Sequence, residues 1–215
     1  MMYSEISTYC LAHNVTLVVV SKMRTVYEVM KIYNQGHRIF AENRVQELLQ
    51  KYQVMPKDIQ WHLIGTLQKN KVKYLAPFIQ LIHSVDDFEL WNEINKQAIK
   101  QHRCIPVLLQ IKISDEESKN GFEWKELLEV LECKEWKSLD HTQLIGVMGM
   151  ASLTEDQDKI RSEFKWLKSS FDELKEKYFN TQHSFNTISM GMSGDYKLAI
   201  EEGSTMVRIG SAIFN

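Results

Sequence analysis

Apolar runs and stretches of helical period alternate from one end of the chain to the other. The first run, Leu17-Val18-Val19-Val20-Ser21, is β-branched and lacks polar alternation, as expected of a parallel strand buried on both faces. Seven further runs, at 38–41, 61–64, 81–84, 106–113, 144–150, 185–190 and 206–209, bring the predicted strands to eight. Helices are predicted between them over 26–34, 45–52, 70–76, 87–102, 124–132, 157–178 and 196–202. The sixth is the clearest. There Ile160, Phe164, Leu167, Phe171 and Leu174 recur every three or four residues, and Lys and Glu fill the opposite face.

Strands alternating with helices predict an α/β protein, a single TIM-type (β/α)8 barrel with short loops. A doubly wound open sheet would place a glycine-rich turn after its first strand, and residues 20–24 contain no glycine. The sequence stops just past the eighth run, so no helix is expected after it. Residues 4–13 are expected to form a short N-terminal helix that covers the gap. Three prolines and the lack of a Ser/Gly-rich linker give no reason to divide the chain, so residues 1–215 are read as one domain.

Composition changes this picture little. A hydrophobic content of 44% allows a substantial core, and a net charge of −2 gives no general attraction to nucleic acid. Cys10, Cys104 and Cys133 form neither a CxxC pair nor a bridge framework, which fits a reducing, cytoplasmic setting. No secretory leader or membrane-spanning run is read, and the histidines show no metal-ligand spacing, so neither a membrane nor a metal is expected.

In a barrel the residues that end the strands surround the ligand site. Lys22 ends the first run, Glu42-Asn43 the second and Gly65-Thr66 the third, and Ser84 and Asp86 lie at the end of the fourth. The loops after runs seven and eight carry Gly191, Ser193, Gly194, Gly210 and Ser211. Glycine permits close backbone approach or positive φ, and serine adds a hydroxyl donor. Each Gly-Ser pair alone is an ordinary turn, but at strands seven and eight the pair suits a phosphate. Ser193 or Asp195 is also placed to cap the helix that starts near Tyr196. An amine and a phosphate cradle at one barrel mouth suggest pyridoxal 5′-phosphate, whose aldehyde condenses with a partly desolvated lysine. Arg208 either faces the pyridine nitrogen of that ligand, weakening the ring as an electron sink, or forms a structural ion pair in the barrel.

Several longer motifs occur in order: VVVSK at 18–22, FAENRVQE at 40–47, WHLIGTLQKNKVKYL at 61–75, HSVD at 83–86, ESKNGF at 117–122, GVMGMA at 146–151 and ISMGMSGDYKLAIEEGSTMVRIGSAIF at 188–214. Through them the chain resembles the pyridoxal phosphate homeostasis proteins, single-barrel relatives of the N-terminal domain of bacterial alanine racemase. The resemblance implies that Lys22 carries the cofactor and that Ser193, Gly210 and Ser211 hold its phosphate. It also implies that Asn43 and His62 lie near the cofactor and that Arg208 faces the ring nitrogen. Ala41 stands where the family usually has glycine, a change expected to shift the backbone before Glu42-Asn43 slightly.

The function expected from this resemblance is to hold pyridoxal phosphate as a Schiff base on Lys22 and to serve intracellular vitamin B6 homeostasis without turnover. A cytoplasmic monomer is expected, with pyridoxal-phosphate-dependent apoenzymes as possible recipients. The alternative is an amino-acid racemase, which in the related enzymes needs a tyrosine from a second domain on the far face of Cα. The tyrosines at 27, 33, 52, 74 and 178 fall instead within predicted helices. A third reading is a sugar- or nucleotide-phosphate barrel in which Lys22 is only a charge.

Overall fold

A computed structural model describes residues 2–114, 116 and 120–214. Residues 117–119 of the ESKNGF motif therefore lie outside the described residues. Over those described, eight parallel strands close into a barrel in sequence order: β1 Thr16–Val20, β2 Ile39–Glu42, β3 Gln60–Leu63, β4 Leu81–Val85, β5 Ile105–Gln110, β6 Thr142–Met148, β7 Thr187–Ser189 and β8 Met206–Ile209. The helices are α1 Met2–Ala12, α2 Val26–Tyr33, α3 Val45–Val54, α4 Val72–Leu75, α5 Phe88–Lys100, α6 Trp124–Glu132, α7 Gln157–Tyr178, α8 Tyr196–Glu201 and α9 Ser211–Phe214. The expected (β/α)8 architecture is therefore what the chain adopts. Closure is made by β1 on β8, with Val18 paired to Arg208 and Val19 to Ile209.

Two apolar layers hold the barrel. The larger lies between strands and helices and includes Val19, Phe40, Trp61, Leu63, Ile82, Leu109, Phe164 and Leu167, all at most 1% exposed. The smaller fills the barrel with Val18, Ala41, Leu81, Leu108, Met148 and Met206. Outward and inward residues alternate along β1, so the unbroken apolar run serves both layers. Full burial of each such side chain contributes roughly 1.5–3 kcal/mol. Ala41 packs its methyl group into the inner layer.

Local signals fix several starts. Thr25 and Glu28 form a capping box on α2, Asp87 caps α5 by accepting from Leu90 N at 2.6 Å, and Asp156 caps α7. Three expectations need correction. A one-turn helix, α9, does follow β8, because Ile213 N and Phe214 N both return to Gly210 O. Helix α1 packs on α9 and β1, and Tyr9 meets Tyr196 edge-on at 5.8 Å. The strand expected over 185–190 shortens to Thr187–Ser189, because serine and threonine hydroxyls replace part of its ladder: Ile188 N donates to Thr205 Oγ1, and Ser204 Oγ donates to Met190 O. The strand expected to reach residue 113 ends at Gln110, where only an isolated bridge from Ile111 to Phe122 continues.

Candidate functional site

The C-terminal ends of the strands enclose a cavity of about 620 Å³. Lys22, Asn43, Ser193, Arg208, Gly210 and Ser211 all line it, drawn together from four strand ends far apart in sequence. Its charged lining is Lys22, Arg44 and Arg208, and among the described residues no Asp or Glu lines it. Such a cavity favours an anionic ligand.

Lys22 is exposed, contrary to the desolvated amine expected from the sequence, because it sits two residues past the end of β1, beyond the buried Ser21. Its neighbours, by contrast, are clamped. Ser21 is fully buried, and its Oγ donates to Glu42 Oε1 at 2.7 Å. The buried Lys51 Nζ, arriving from α3, donates to Ser21 O at 2.6 Å and to Glu42 Oε1 at 2.5 Å. Burial pushes the Glu42 carboxyl above the usual carboxylate range, and the Lys51 and Ser21 hydrogen bonds pull against that shift. Beyond Lys22 the chain turns through Met23 at φ 59°, an unusual conformation for a non-glycine residue. That turn is held by Met23 N on Glu47 Oε2 at 3.1 Å and Arg24 N on Ser21 O at 3.0 Å. The amine is thus exposed at its tip and fixed at its root.

On the opposite wall, Ser193 Oγ accepts from Gly210 N and Ala212 N, each at 3.3 Å. These N–H groups, with the Ser193 and Ser211 hydroxyls, form a neutral cradle suited to a phosphate. Gly210 is needed for close approach, since a Cβ there would lie 2.9 Å from Val20 O, and Gly191 takes φ +94°. Gly194 meets neither demand. Asp195 occupies the N-cap position of α8 without a side-chain cap bond. Its Oδ1 accepts from Met192 N at 2.5 Å instead, bracing the cradle loop.

Arg208 is 3% exposed and faces the cavity from β8. Its Nη1 donates to Ser189 O at 2.7 Å and to Ser189 Oγ at 2.6 Å, and Nη2 donates to Gly149 O at 3.0 Å. Among the described residues no carboxylate lies within ion-pair distance, so the structural ion pair weighed from the sequence is not formed there. Burial alone pulls the guanidinium down to about 10, with Asp195 opposing. A buried cation held only by neutral oxygens is costly unless a ligand supplies the missing negative or acceptor group.

His62 does not line the cavity. It lies inside the barrel, with Nδ1 3.0 Å from His83 Nε2, and His83 Nδ1 is 3.0 Å from Ser189 Oγ. Burial lowers His62 to about 3, and burial first, with His62 and Arg208 alongside, holds His83 well below the ordinary imidazole value. His83, Ser189 and Lys51 had no site role at the sequence level, and Glu42 was read only as a strand-end residue beside the ligand site. Glu42 ending an otherwise apolar strand was the available signal for the clamp.

A lysine amine, a neutral phosphate cradle and a buried guanidinium at the C-terminal mouth of one barrel define a cofactor-type site for an anionic carbonyl compound. The comparisons agree with that class. The family model of the alanine racemase N-terminal domain matches residues 3–215. The pyridoxal phosphate homeostasis protein of Aquifex aeolicus is 40% identical over 187 residues, covering 86% of this chain and 80% of that protein. The chain belongs to the alanine racemase N-terminal domain family and, within it, to the pyridoxal phosphate homeostasis proteins. PipY of Synechococcus elongatus PCC7942 has been solved without PLP, at TM-score 0.90 and 30% identity, and with PLP bound, at TM-score 0.88 and 29% identity; both cover 100% of each chain. Alanine racemase of Bartonella henselae shares the fold, at TM-score 0.70 and 16% identity over 99% of this chain and 57% of the racemase.

Proposed function

We propose that this protein binds pyridoxal 5′-phosphate in the barrel-mouth cavity and serves the homeostasis of that cofactor in the cytoplasm, without catalytic turnover. The single observation that carries the reading is the joint presence of Lys22, the Ser193–Gly210 cradle and Arg208 in one cavity free of carboxylates among the described residues. Bound, the cofactor supplies an aldehyde that condenses with an amine, releasing water, and a ring that withdraws electrons from what is attached.

Every other role falls to this chain. Lys22 supplies the amine and is exposed enough to meet an incoming aldehyde, while the Ser21–Glu42–Lys51 clamp keeps its backbone in place. Ser193, Ser211 and the Gly210 loop take the phosphate, Asn43 flanks the ligand, and Arg208 meets the ring nitrogen as a donor. His62 acts at one remove, through His83 and Ser189. The chain is read as one cofactor-binding domain, acting as a monomer and passing its cofactor to dependent apoenzymes. No helix among the described residues is long and apolar enough to cross a membrane, and none of them forms a cluster able to hold a metal.

The lining also bears on the racemase alternative. Two-sided proton transfer at a Cα needs a second acid–base group facing the first. Beside Lys22, the described lining contains no Tyr, His, Cys, Asp or Glu. Two assays test the reading. Added pyridoxal phosphate should produce a new visible absorption band in the wild type that Lys22→Ala loses, and L-alanine should keep its optical activity in the presence of the loaded protein. Absence of the band contradicts the binding claim, and racemisation well above the free-cofactor rate contradicts the carrier claim.

A further inference from the structure

The barrel interior contains four polar side chains in a row, His62, His83, Ser189 and Arg208, each buried and each within 3.0 Å of the next. Proton counting sets the direction of this row. A guanidinium has no acceptor, so Ser189 Oγ must accept from Arg208 Nη1. The serine hydroxyl has one proton, and its other described side-chain partner is His83 Nδ1. Were that nitrogen protonated, the hydroxyl proton would be left without a described acceptor in a buried site, which is expensive. His83 Nδ1 therefore accepts, and its single proton sits on Nε2, directed at His62 Nδ1. His62 Nδ1 accepts in turn, so His62 also holds its proton on Nε2. Both rings are kept uncharged by burial.

We propose that Ser189 and His83 are positioning residues for Arg208: the one-way row His62, His83, Ser189 gives the guanidinium an oriented acceptor in place of a carboxylate and fixes it at the cavity wall. A carboxylate at this position would neutralise the cation. A serine backed by a neutral imidazole orients it and leaves its charge intact for the ligand. The row thus deepens the cofactor reading above and rests on it wherever the ligand's ring nitrogen is concerned. The β4 strand delivers His83 and β7 delivers Ser189, three strands apart around the barrel, so the row also ties these strands through the interior.

The experiment has two readouts. In uniformly ¹⁵N-labelled protein without added cofactor, long-range imidazole correlations should show His83 and His62 neutral with the proton on Nε2. Ser189→Ala should release the His83 tautomer, weaken pyridoxal phosphate binding about tenfold and shift the band of the bound cofactor. His83→Leu should shift the same band, and His83→Gln, whose amide retains an acceptor and a donor, should restore it. A merely structural role would lower stability and leave the band in place. A proton on His83 Nδ1, or an unchanged band and affinity in folded Ser189→Ala, would overturn the proposal. If wild-type protein forms no pyridoxal phosphate adduct, the ligand reading fails, and the tautomers still decide the row independently.

Discussion

At the scale of single residues the site combines one exposed amine with several costly buried groups. Lys51 and Glu42 form an ion pair at 8% and 0% side-chain exposure, and Glu42 Oε2 has no described partner. Lys51→Ala leaves that carboxylate buried and unpaired, so a loss of about 3–5 kcal/mol is expected in denaturant unfolding. The same variant should weaken binding at Lys22. The two histidines give a pH dependence of definite sign. With the folded-state His62 near 3 against an ordinary 6.5, and His83 also depressed, the unfolded chain binds more protons across that interval. Stability therefore rises with pH between about 3 and 6.5 and is lost as pH falls through that range. His83→Gln should flatten the slope; an unchanged slope in urea titrations at several pH values contradicts the assignment.

At the scale of elements, strand ends were legible and strand interiors were not. Lys22, Asn43, Ser193, Gly210 and Ser211, which line the cavity, stood out because a run of apolar residues stops, or a glycine interrupts, where a barrel must open; Arg208 is the exception, a charge inside the apolar run of β8. His83 lies where the register between β4 and β5 shifts, between Ile82 and Val85, so simple two-residue alternation fails to place it. Lys51 reads as an ordinary polar helix position; only the seating of α3 against β2 buries it. Gly65 shows how tightly the strand-end loops are set, since a Cβ there would lie 2.3 Å from Asn43 O. The neighbouring Ser84 Oγ donates to Gly65 O at 2.7 Å. Gly65→Ala must displace the Asn43 backbone, and a loss of about 1–3 kcal/mol with weaker cofactor binding is expected from thermal melts and titration. A melt and an affinity equal to wild type would show that the loop yields freely.

At the scale of the molecule a nearly neutral chain, with net charge −2, concentrates three cations at one barrel mouth. The fold class followed from counting strands, and the charge pattern of the cavity became visible only when residues 22, 44 and 208 were brought together. Inorganic phosphate should therefore compete with pyridoxal phosphate, and added neutral solutes should not; absence of competition would argue against the Ser193–Gly210 cradle. The central claim is narrower and more direct. Protein loaded with pyridoxal phosphate, reduced with borohydride, digested and analysed by mass spectrometry should carry one phosphopyridoxyl group, on Lys22. Recovery of the label on another lysine, or of unlabelled Lys22 from fully loaded protein, would contradict it.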